Sequence, residues 1–400
     1  MISKLSIRNF KSIKELDIDC ARVNLFIGEP NTGKSNILEA LGALSWAGHR
    51  ANTPLNEYVR FDGVQNLFYD NLVEEPVRIE TKGDIEFRFY MRYNGNFIIQ
   101  SNFLFKIPNH LLSDLENGIL SEELKDEFTK HGFSLFQPSK PIKKNSEYEI
   151  TNFDPESGDL FPYTIGKYEN ELTVFNVGNH CNMDYSGNII RREFRNNVPM
   201  IKFYRYNEKL NTFKDLNYLW LTPPNGSNLF SIVMGKKLLR ETASSFIKDC
   251  DLRLVFKIAE NGFGVQKQIN DEFYDYPYVS VSDTIRRMIF FNIAIDSNEN
   301  STLVFEEPEV HAFPSYIKQL GEKIAFDESN QYFIVTHNPY LFLSIVEKTP
   351  KVDVNVFATY MKDYQTMVKR ASSEQISMLM DYDPFFNLGQ IIEEDDNDSN

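Results

Sequence analysis

A chain of 400 residues with 42% hydrophobic and 25% charged side chains is long enough for one large domain or two smaller ones around a sizeable core. The formal net charge of −15 argues against a surface coated for nonspecific DNA binding, and three cysteines without metal spacing (Cys20, Cys181, Cys250) point to a reducing compartment. The N-terminus alternates instead of forming a signal core, and the strongly apolar stretch at 288–295 is too short to span a bilayer, so a cytoplasmic protein with no membrane partner is expected.

In chain order, Leu5, Ile7 and Phe10 mark a first strand, and Leu16 and Ile18 a second. Val23 to Ile27 is a short buried strand running into glycine, after which Ile37, Leu38, Leu41 and Leu44 take helical spacing. Residues 77–107 return to strand texture, with Asn94-Gly95 as a hairpin turn. Residues 109–130 read as one or two helices, and 134–226 as a polar, aromatic, irregular stretch with turn signals at Pro155, Gly158, Gly187 and Pro223-Pro224-Asn225-Gly226. Residues 229–249 read as helix and 251–265 as strand. From Asp283 helix and strand alternate to about residue 370, and an acidic tail closes the chain. No heptad pattern is sustained over three or four repeats, which excludes long coiled-coil arms. The 33 Phe and 20 Tyr favour sheets and packed interfaces.

The strongest chemical signal is Gly28-Glu29-Pro30-Asn31-Thr32-Gly33-Lys34-Ser35, a full G-x-x-x-x-G-K-[ST] match between a strand and a helix that opens with Asn36 in its first turn. Glycines let backbone N–H groups wrap phosphates, and the helix N-terminus favours an anion. Lys34 is expected to reach the β- and γ-phosphates of ATP and Ser35 to bind Mg²⁺. A second junction, Leu303-Val304-Phe305-Glu306-Glu307, ends an apolar strand in two carboxylates, as a Walker B element requires. Glu306 is assigned to the metal and Glu307 to the attacking water; the usual first residue is Asp, so Glu306 is a departure. A third strand ends at Thr336-His337-Asn338-Pro339, where His337 would contact the γ-phosphate or the water.

These segments resemble the ABC-type ATPases of the SMC, RecF and OLD (overcoming-lysogenization-defect) group, closest to the OLD-like AAA ATPases of bacterial defence systems. The resemblance rests on Leu5-Ser6-Ile7-Arg8-Asn9-Phe10-Lys11-Ser12-Ile13, on Glu306-Glu307-Pro308-Glu309-Val310-His311 and on Thr336-His337-Asn338-Pro339-Tyr340, and spans roughly residues 1–48 and 278–350. It implies an α/β P-loop head, a mixed sheet flanked by helices, with an inserted β-rich and helical lobe. The corresponding division is a first half-head at 1–60, the lobe at 61–270, a second half-head at 271–390 and a tail at 391–400. It also implies an ATP-dependent homodimer or higher oligomer, in which a serine-bearing signature loop of one copy completes the other's ATP site. Val281-Ser282-Asp283-Thr284 fits that loop by position, with Ser282 as helix cap, although it carries no glycine. Gln65 is placed by position alone as the residue sensing Mg²⁺ and the γ-phosphate, and Arg60 as a weaker phosphate or DNA contact.

Two outputs follow from the resemblance, a defence subunit controlling a separate nuclease or toxin and a RecF-like DNA-repair ATPase; the Glu306 departure and the glycine-free signature loop leave open a third, an ATP-held scaffold that does not hydrolyse. About fifty residues follow Pro350, short for a nuclease domain, and Asp381 with Asp383 lacks a partner glutamate. DNA binding would draw on two small basic patches, Lys140 with Lys143 and Lys144, and Arg191-Arg192. The middle lobe is the expected partner surface.

Overall fold

The computed structural model describes residues 1–49, 53–106, 108–117, 119, 121–130, 142–144, 147–153, 160–168, 171–193, 200–214, 219–381, 385, 388 and 391. Lys140, Pro155, Gly158, Asp383 and the acidic end at 392–400 lie outside them.

The chain opens with strands β1 (Ile2–Phe10) and β2 (Ile13–Asp19), joined by a turn that holds Lys11 at φ 52°. Their antiparallel register pairs Leu5 with Ile18 and Ile7 with Leu16, so one apolar face is buried. β3 (Val23–Gly28) is buried along its whole length and leads into α1 (Lys34–Gly48), a helix apolar on nearly every side. Then come β4 (Val77–Gly83), β5 (Ile85–Asn94) and β6 (Asn96–Lys106), the last two closed by Gly95 at φ 74°. Helices α2 (Leu112–Asn117) and α3 (Glu122–Lys130) follow.

The next stretch corrects the reading of 134–226 as irregular. It holds β7 (Ile142–Lys144), β8 (Glu147–Phe153), β9 (Leu160–Tyr168), β10 (Glu171–Met183) and β11 (Ile189–Glu193). β10 pairs with β6 on one side and with β9 and β11 on the other, so these polar strands exist through their neighbours' hydrogen bonds. Their own alternation is short, as in Tyr148 with Ile150 and Phe161 with Tyr163 and Ile165, and is set in a polar, turn-rich stretch.

After β12 (Ile201–Tyr204) come α4 (Leu229–Gly235), α5 (Lys237–Lys248), and the hairpin strands β13 (Arg253–Lys257), β14 (Gly262–Ile269) and β15 (Glu272–Pro277). Helix and strand then alternate: α6 (Asp283–Asp296), β16 (Thr302–Glu306), α7 (Pro314–Phe326), β17 (Gln331–Val335), α8 (Pro339–Lys348), β18 (Val354–Lys362), β19 (Gln365–Arg370) and α9 (Ser373–Asp381). No helix among the described residues is long and apolar enough to cross a membrane.

The chain divides into two compact units. The first takes residues 1–21, 31–201 and 360–368, and the second 22–30, 202–359 and 369–400. Unit one is built on an antiparallel sheet in the order β2-β1-β4-β5-β6-β10-β9-β8-β7, with β11 beside β10. Unit two is built on β12-β16-β17-β3-β18, where β16, β17, β3 and β18 run parallel. Its core gathers Leu25 and Ile27 of β3, Phe290 and Phe291 of α6, Leu303 and Phe305 of β16, and Leu341 and Phe342 of α8. Parallel strands covered by helices are apolar on both faces over most of their length, which is why β3, β16 and β17 read as short apolar runs, with Asn24, Thr302 and Gln331 as buried polar exceptions.

Candidate functional site

Parallel strands that end together make a ledge where loops can converge on a ligand. In unit two the register sets Glu306 of β16 beside Val335 of β17, and Val335 beside Phe26 of β3. The residues that leave this edge are therefore Glu307, Thr336 with His337, and Gly28 with Glu29 and Pro30. The Thr336 N–H donates to the Phe26 carbonyl at 3.3 Å and the Thr359 hydroxyl to the Ile27 carbonyl at 3.1 Å, tying the loop starts to the central strand.

Glu307 sits at φ 44°, a left-handed conformation that a side chain disfavours. It is held there by its own N–H to the Val335 carbonyl at 3.0 Å and by its carbonyl accepting from the Val310 N–H at 3.3 Å. The turn brings its Oε1 to 3.4 Å from His337 Nε2, with both side chains well over a third exposed. Strain of this kind recurs where a side chain must be aimed.

Behind this pair lies Glu309, only 5% exposed. Its Oε1 accepts from the Thr336 hydroxyl at 2.5 Å and from the His337 N–H at 3.1 Å. Its Oε2 is buried with no hydrogen-bond partner. Burial pushes the Glu309 carboxyl up to about 7, against the lowering effect of those two donors. Glu309 is visible in the run Glu306-Glu307-Pro308-Glu309, but its burial behind the pair comes from tertiary packing.

Glu306 meets a partner that sequence reading missed altogether. Its Oε2 accepts from both Arg205 Nε at 3.1 Å and Arg205 Nη2 at 2.8 Å. Arg205 follows β12, the sheet neighbour of β16, and its guanidinium lies 5.0 Å from the Phe203 ring centre. At the other end of the same strands, Lys202 is 4% exposed and donates to Asn298 and, at 3.0 Å, to the Ser301 hydroxyl. Its ammonium sits 4.7 Å from the Trp220 ring centre, and burial holds it down to about 7.

Ser282 caps α6, accepting from the Ile285 N–H at 3.4 Å, as its position suggested. The next residues tie this helix to the turn after Glu309: the Thr284 hydroxyl donates to the His311 carbonyl at 2.5 Å, and His311 Nδ1 lies 3.9 Å from Asp283 Oδ2.

The chain crosses from unit two to unit one within the phosphate loop itself, between Pro30 and Asn31. On the unit-one side, Asn31 takes φ 62° and Gly33 φ 86°, the latter as N-cap of α1. A Cβ on Gly33 would run into the Thr366 hydroxyl and lie 2.8 Å from Ser12 Oγ, so close approach demands glycine there as well as the dihedral. Ser12, Thr366 and Asn36 form a chain of 2.6 Å hydrogen bonds around the helix start. Lys34 is buried, with its Nζ 3.4 Å from the Thr32 hydroxyl, and Ser35 is half-buried beside it. One turn further in, Glu39 is fully buried between Lys11 and Arg60, whose Nε lies 2.6 Å away. Arg60 is thereby engaged by a carboxylate of its own unit. Gln65 stands on a short 3-10 turn, Val64–Leu67, its Oε1 buried without a hydrogen-bond partner.

Hydroxyl and carboxylate oxygens are the donors Mg²⁺ takes, usually with phosphate oxygens and water completing the shell. Ser35 in unit one and Glu306 in unit two each carry an oxygen of that kind, and among the described residues no group of three or more His, Cys, Asp or Glu is suited to a metal by itself.

Comparison with known proteins bears on this geometry. Residues 1–220 match the AAA ATPase domain family, a span that contains the phosphate loop and ends before Glu306. The DNA replication and repair protein RecF of Clostridium beijerinckii is 23% identical over 240 residues, covering 54% of this chain and 64% of that protein. An ATP/GTP phosphatase of Helicobacter pylori is 24% identical over 255 residues, covering 54% and 66%. The chain thus spans just under two thirds of the length of either relative. An SMC head bound to the C-terminal winged-helix domain of ScpA aligns over 94% of this chain and 99% of its own, at 12% identity and a TM-score of 0.48. With the family match covering more than half of the chain, the protein belongs to the AAA ATPase domain family.

Proposed function

We propose that this chain binds and hydrolyses ATP and uses the nucleotide to join and release a second copy of itself. The observation that carries the reading is the aimed Glu307–His337 pair at the C-terminal ends of β16 and β17, the second of which lies beside β3, the strand that runs into the phosphate loop. Glu307 polarises the attacking water, and His337 stands at its carboxylate to contact that water or the γ-phosphate. Backbone N–H groups of residues 28–36 and the Lys34 ammonium neutralise the phosphates. Mg²⁺, held by Ser35 and Glu306, would spread the charge that builds on the phosphate oxygens. The reaction is ATP + water → ADP + phosphate. Ser282, capping α6, offers hydroxyl and N–H groups to the nucleotide of the second copy, and Gln65 is the remaining polar contact.

The test is phosphate release with particle mass followed in parallel, for wild type, Glu307→Gln and Lys34→Ala. The reading expects wild type to turn over, Glu307→Gln to accumulate a larger ATP-bound species, and Lys34→Ala to lose nucleotide. Assembly in ATP that is unchanged by Glu307→Gln, with no turnover in wild type, would instead make the protein an ATP-held scaffold.

What the switch drives is a separate matter, because a fold hosts many outputs. The preferred reading is a cytoplasmic defence subunit that controls a separate effector such as a nuclease, supported by the resemblance of the Glu306–His311 and Thr336–Tyr340 segments to OLD-like ATPases. The similarity to RecF proteins favours a second reading, in which the dimer grips duplex DNA. Duplex binding whose affinity falls steeply with salt, with a slope set by several phosphate contacts, selects the RecF-like reading. Absence of such binding in the ATP-bound dimer, together with phage resistance that Glu307→Gln abolishes, selects the defence reading.

A further inference from the structure

His337 can act on the water only if its ring leaves the loop after β17 in one direction, because an imidazole turned away from Glu307 loses the geometry that proton transfer needs. A surface loop does not fix such a direction by itself. Resting on the ATPase reading, we infer that Glu309 is a positioning residue for His337: one oxygen of its buried carboxylate holds Thr336 and the His337 backbone in place, so that the imidazole is presented to Glu307.

Three observations carry this. First, Glu309 Oε1 accepts from two consecutive residues, from the Thr336 hydroxyl at 2.5 Å and from the His337 N–H at 3.1 Å. Two bonds at neighbouring points of a chain restrain its orientation as well as its position. Second, the anchoring continues past His337. The Thr336 hydroxyl accepts from the Asn338 N–H at 3.0 Å, and the Asn338 side chain caps α8 by accepting from the Tyr340 N–H at 2.9 Å and the Leu341 N–H at 3.2 Å. Thr336 is fully buried and its N–H is tied to β3, so His337 sits between two residues whose places are set.

Third, Glu309 stands two residues after Glu307 in one turn. The Val310 N–H donates to the Glu307 carbonyl at 3.3 Å and the Ala312 N–H to the Glu309 carbonyl at 2.9 Å. A single turn thus carries the carboxylate that meets the imidazole and the carboxylate that holds the imidazole's backbone. The 3.4 Å between Glu307 Oε1 and His337 Nε2 is referred in this way to one piece of chain. The arrangement costs stability, since Glu309 is 5% exposed and its Oε2 is buried with no hydrogen-bond partner among the described residues. Costs of this kind recur where a site must be aimed.

The experiment measures single-turnover phosphate release and equilibrium ATP affinity of the full chain, with thermal unfolding in parallel. Glu309→Ala is expected to slow release roughly 10- to 100-fold, as for a misplaced catalytic group. Its ATP affinity should stay within about 3-fold of wild type. Glu309→Gln keeps an oxygen for both donors and should recover most of the rate, even where its unfolding temperature falls. On a His337→Ala background, Glu309→Ala should add nothing further, as expected when one residue acts through the other. Thr336→Val keeps the shape of the side chain and removes the hydroxyl, and it should slow release by a smaller factor, again only while His337 is present.

Release unchanged in Glu309→Ala overturns the inference, as does an equal loss of affinity. So does a Glu309→Gln as slow as Glu309→Ala, or a loss that persists on the His337→Ala background. Should Glu309→Ala fail to fold, Thr336→Val decides: slowing with and without His337, or in neither, overturns the inference. A wild type that binds ATP and releases phosphate no faster than these variants sinks this inference alone. A wild type that binds no nucleotide, or never turns it over, defeats the ATPase reading and this inference with it.

Discussion

His337 and Glu307 come from the ends of two neighbouring parallel strands and face each other across 3.4 Å, Nε2 to Oε1. Neither strand end makes the pair alone: β17 supplies the imidazole, and a left-handed turn after β16 swings the carboxylate toward it. The Glu309 carboxylate, bonded to the Thr336 hydroxyl and the His337 N–H, joins the two loops from behind.

Removal of the imidazole should therefore slow chemistry more than binding. His337→Ala is expected to lower single-turnover phosphate release about 100-fold, in line with loss of a positioned acid–base group. ATP affinity of the same variant, measured by equilibrium titration, should stay within roughly 3-fold, about 0.6 kcal/mol. An equal fall in affinity would show that His337 serves binding alone.

The raised Glu309 carboxyl gives stability a definite pH dependence. Its folded value of about 7 lies above the ordinary 4.5, so between those values the folded state keeps a proton that the unfolded chain has lost. Stability should fall as pH rises through that window and level off above it. In urea unfolding at several pH values, Glu309→Gln should flatten the slope, since the amide cannot ionise. A slope unchanged by the substitution would show that Glu309 is charged throughout.

Lys202 has the opposite sign. Burial holds its ammonium down to about 7, below the ordinary 10.5, so above 7 the unfolded chain binds more protons than the folded one. Stability should rise with pH from about 7 toward 10.5, and Lys202→Met should remove that rise while leaving the Asn298 and Ser301 oxygens short of a donor. Unfolding free energies between pH 7 and 10 for the two proteins decide it.

Gly33 is constrained twice, by its dihedral and by Thr366. Gly33→Ala places a Cβ in a left-handed conformation, at about 1–2 kcal/mol, and drives it against the Thr366 side chain. Thermal unfolding without nucleotide should show the loss. Adding Thr366→Ala should recover part of the steric cost, since Ser12 Oγ at 2.8 Å and the residue-366 Cβ at 2.9 Å stay close, but not the dihedral part, and full recovery would mean that the backbone is not strained.

Glu39 is the buried anchor of α1. Glu39→Ala leaves the Lys11 ammonium, 12% exposed, without its carboxylate, and a loss of about 3 kcal/mol or more is expected in chemical denaturation. Lys11→Met with Glu39→Leu should restore most of it, because a matched apolar pair removes both desolvation penalties.

Local pattern carries far in this chain and then stops. The spacing from Gly28 to Ser35 defines a phosphate loop because a tight left-handed turn and a helix start are both written in neighbouring residues. The runs at 23–27, 303–305 and 332–335 were legible as buried strands because parallel strands covered on both faces favour apolar side chains, with Asn24 a buried exception. Ser282 was legible as a cap because capping is a relation between a residue and the backbone three positions on. Strands β7 to β11 were not, since their short alternations, such as Tyr148 with Ile150, lie in a polar stretch broken by turn residues and their order comes from partners.

The residues at strand ends and the loop with phosphate-loop spacing could be read from the chain alone, because those features depend on residues a few positions apart. The company they keep came from the folded molecule. Arg205 reaches Glu306 across 101 positions, Ser12 reaches Thr366 across 354, and Lys202 finds Asn298 across 96. The physical reason is that such pairings follow from which strands become neighbours and which charges the core excludes from water. Sheet order, unlike helix periodicity, leaves no mark in any short stretch of chain.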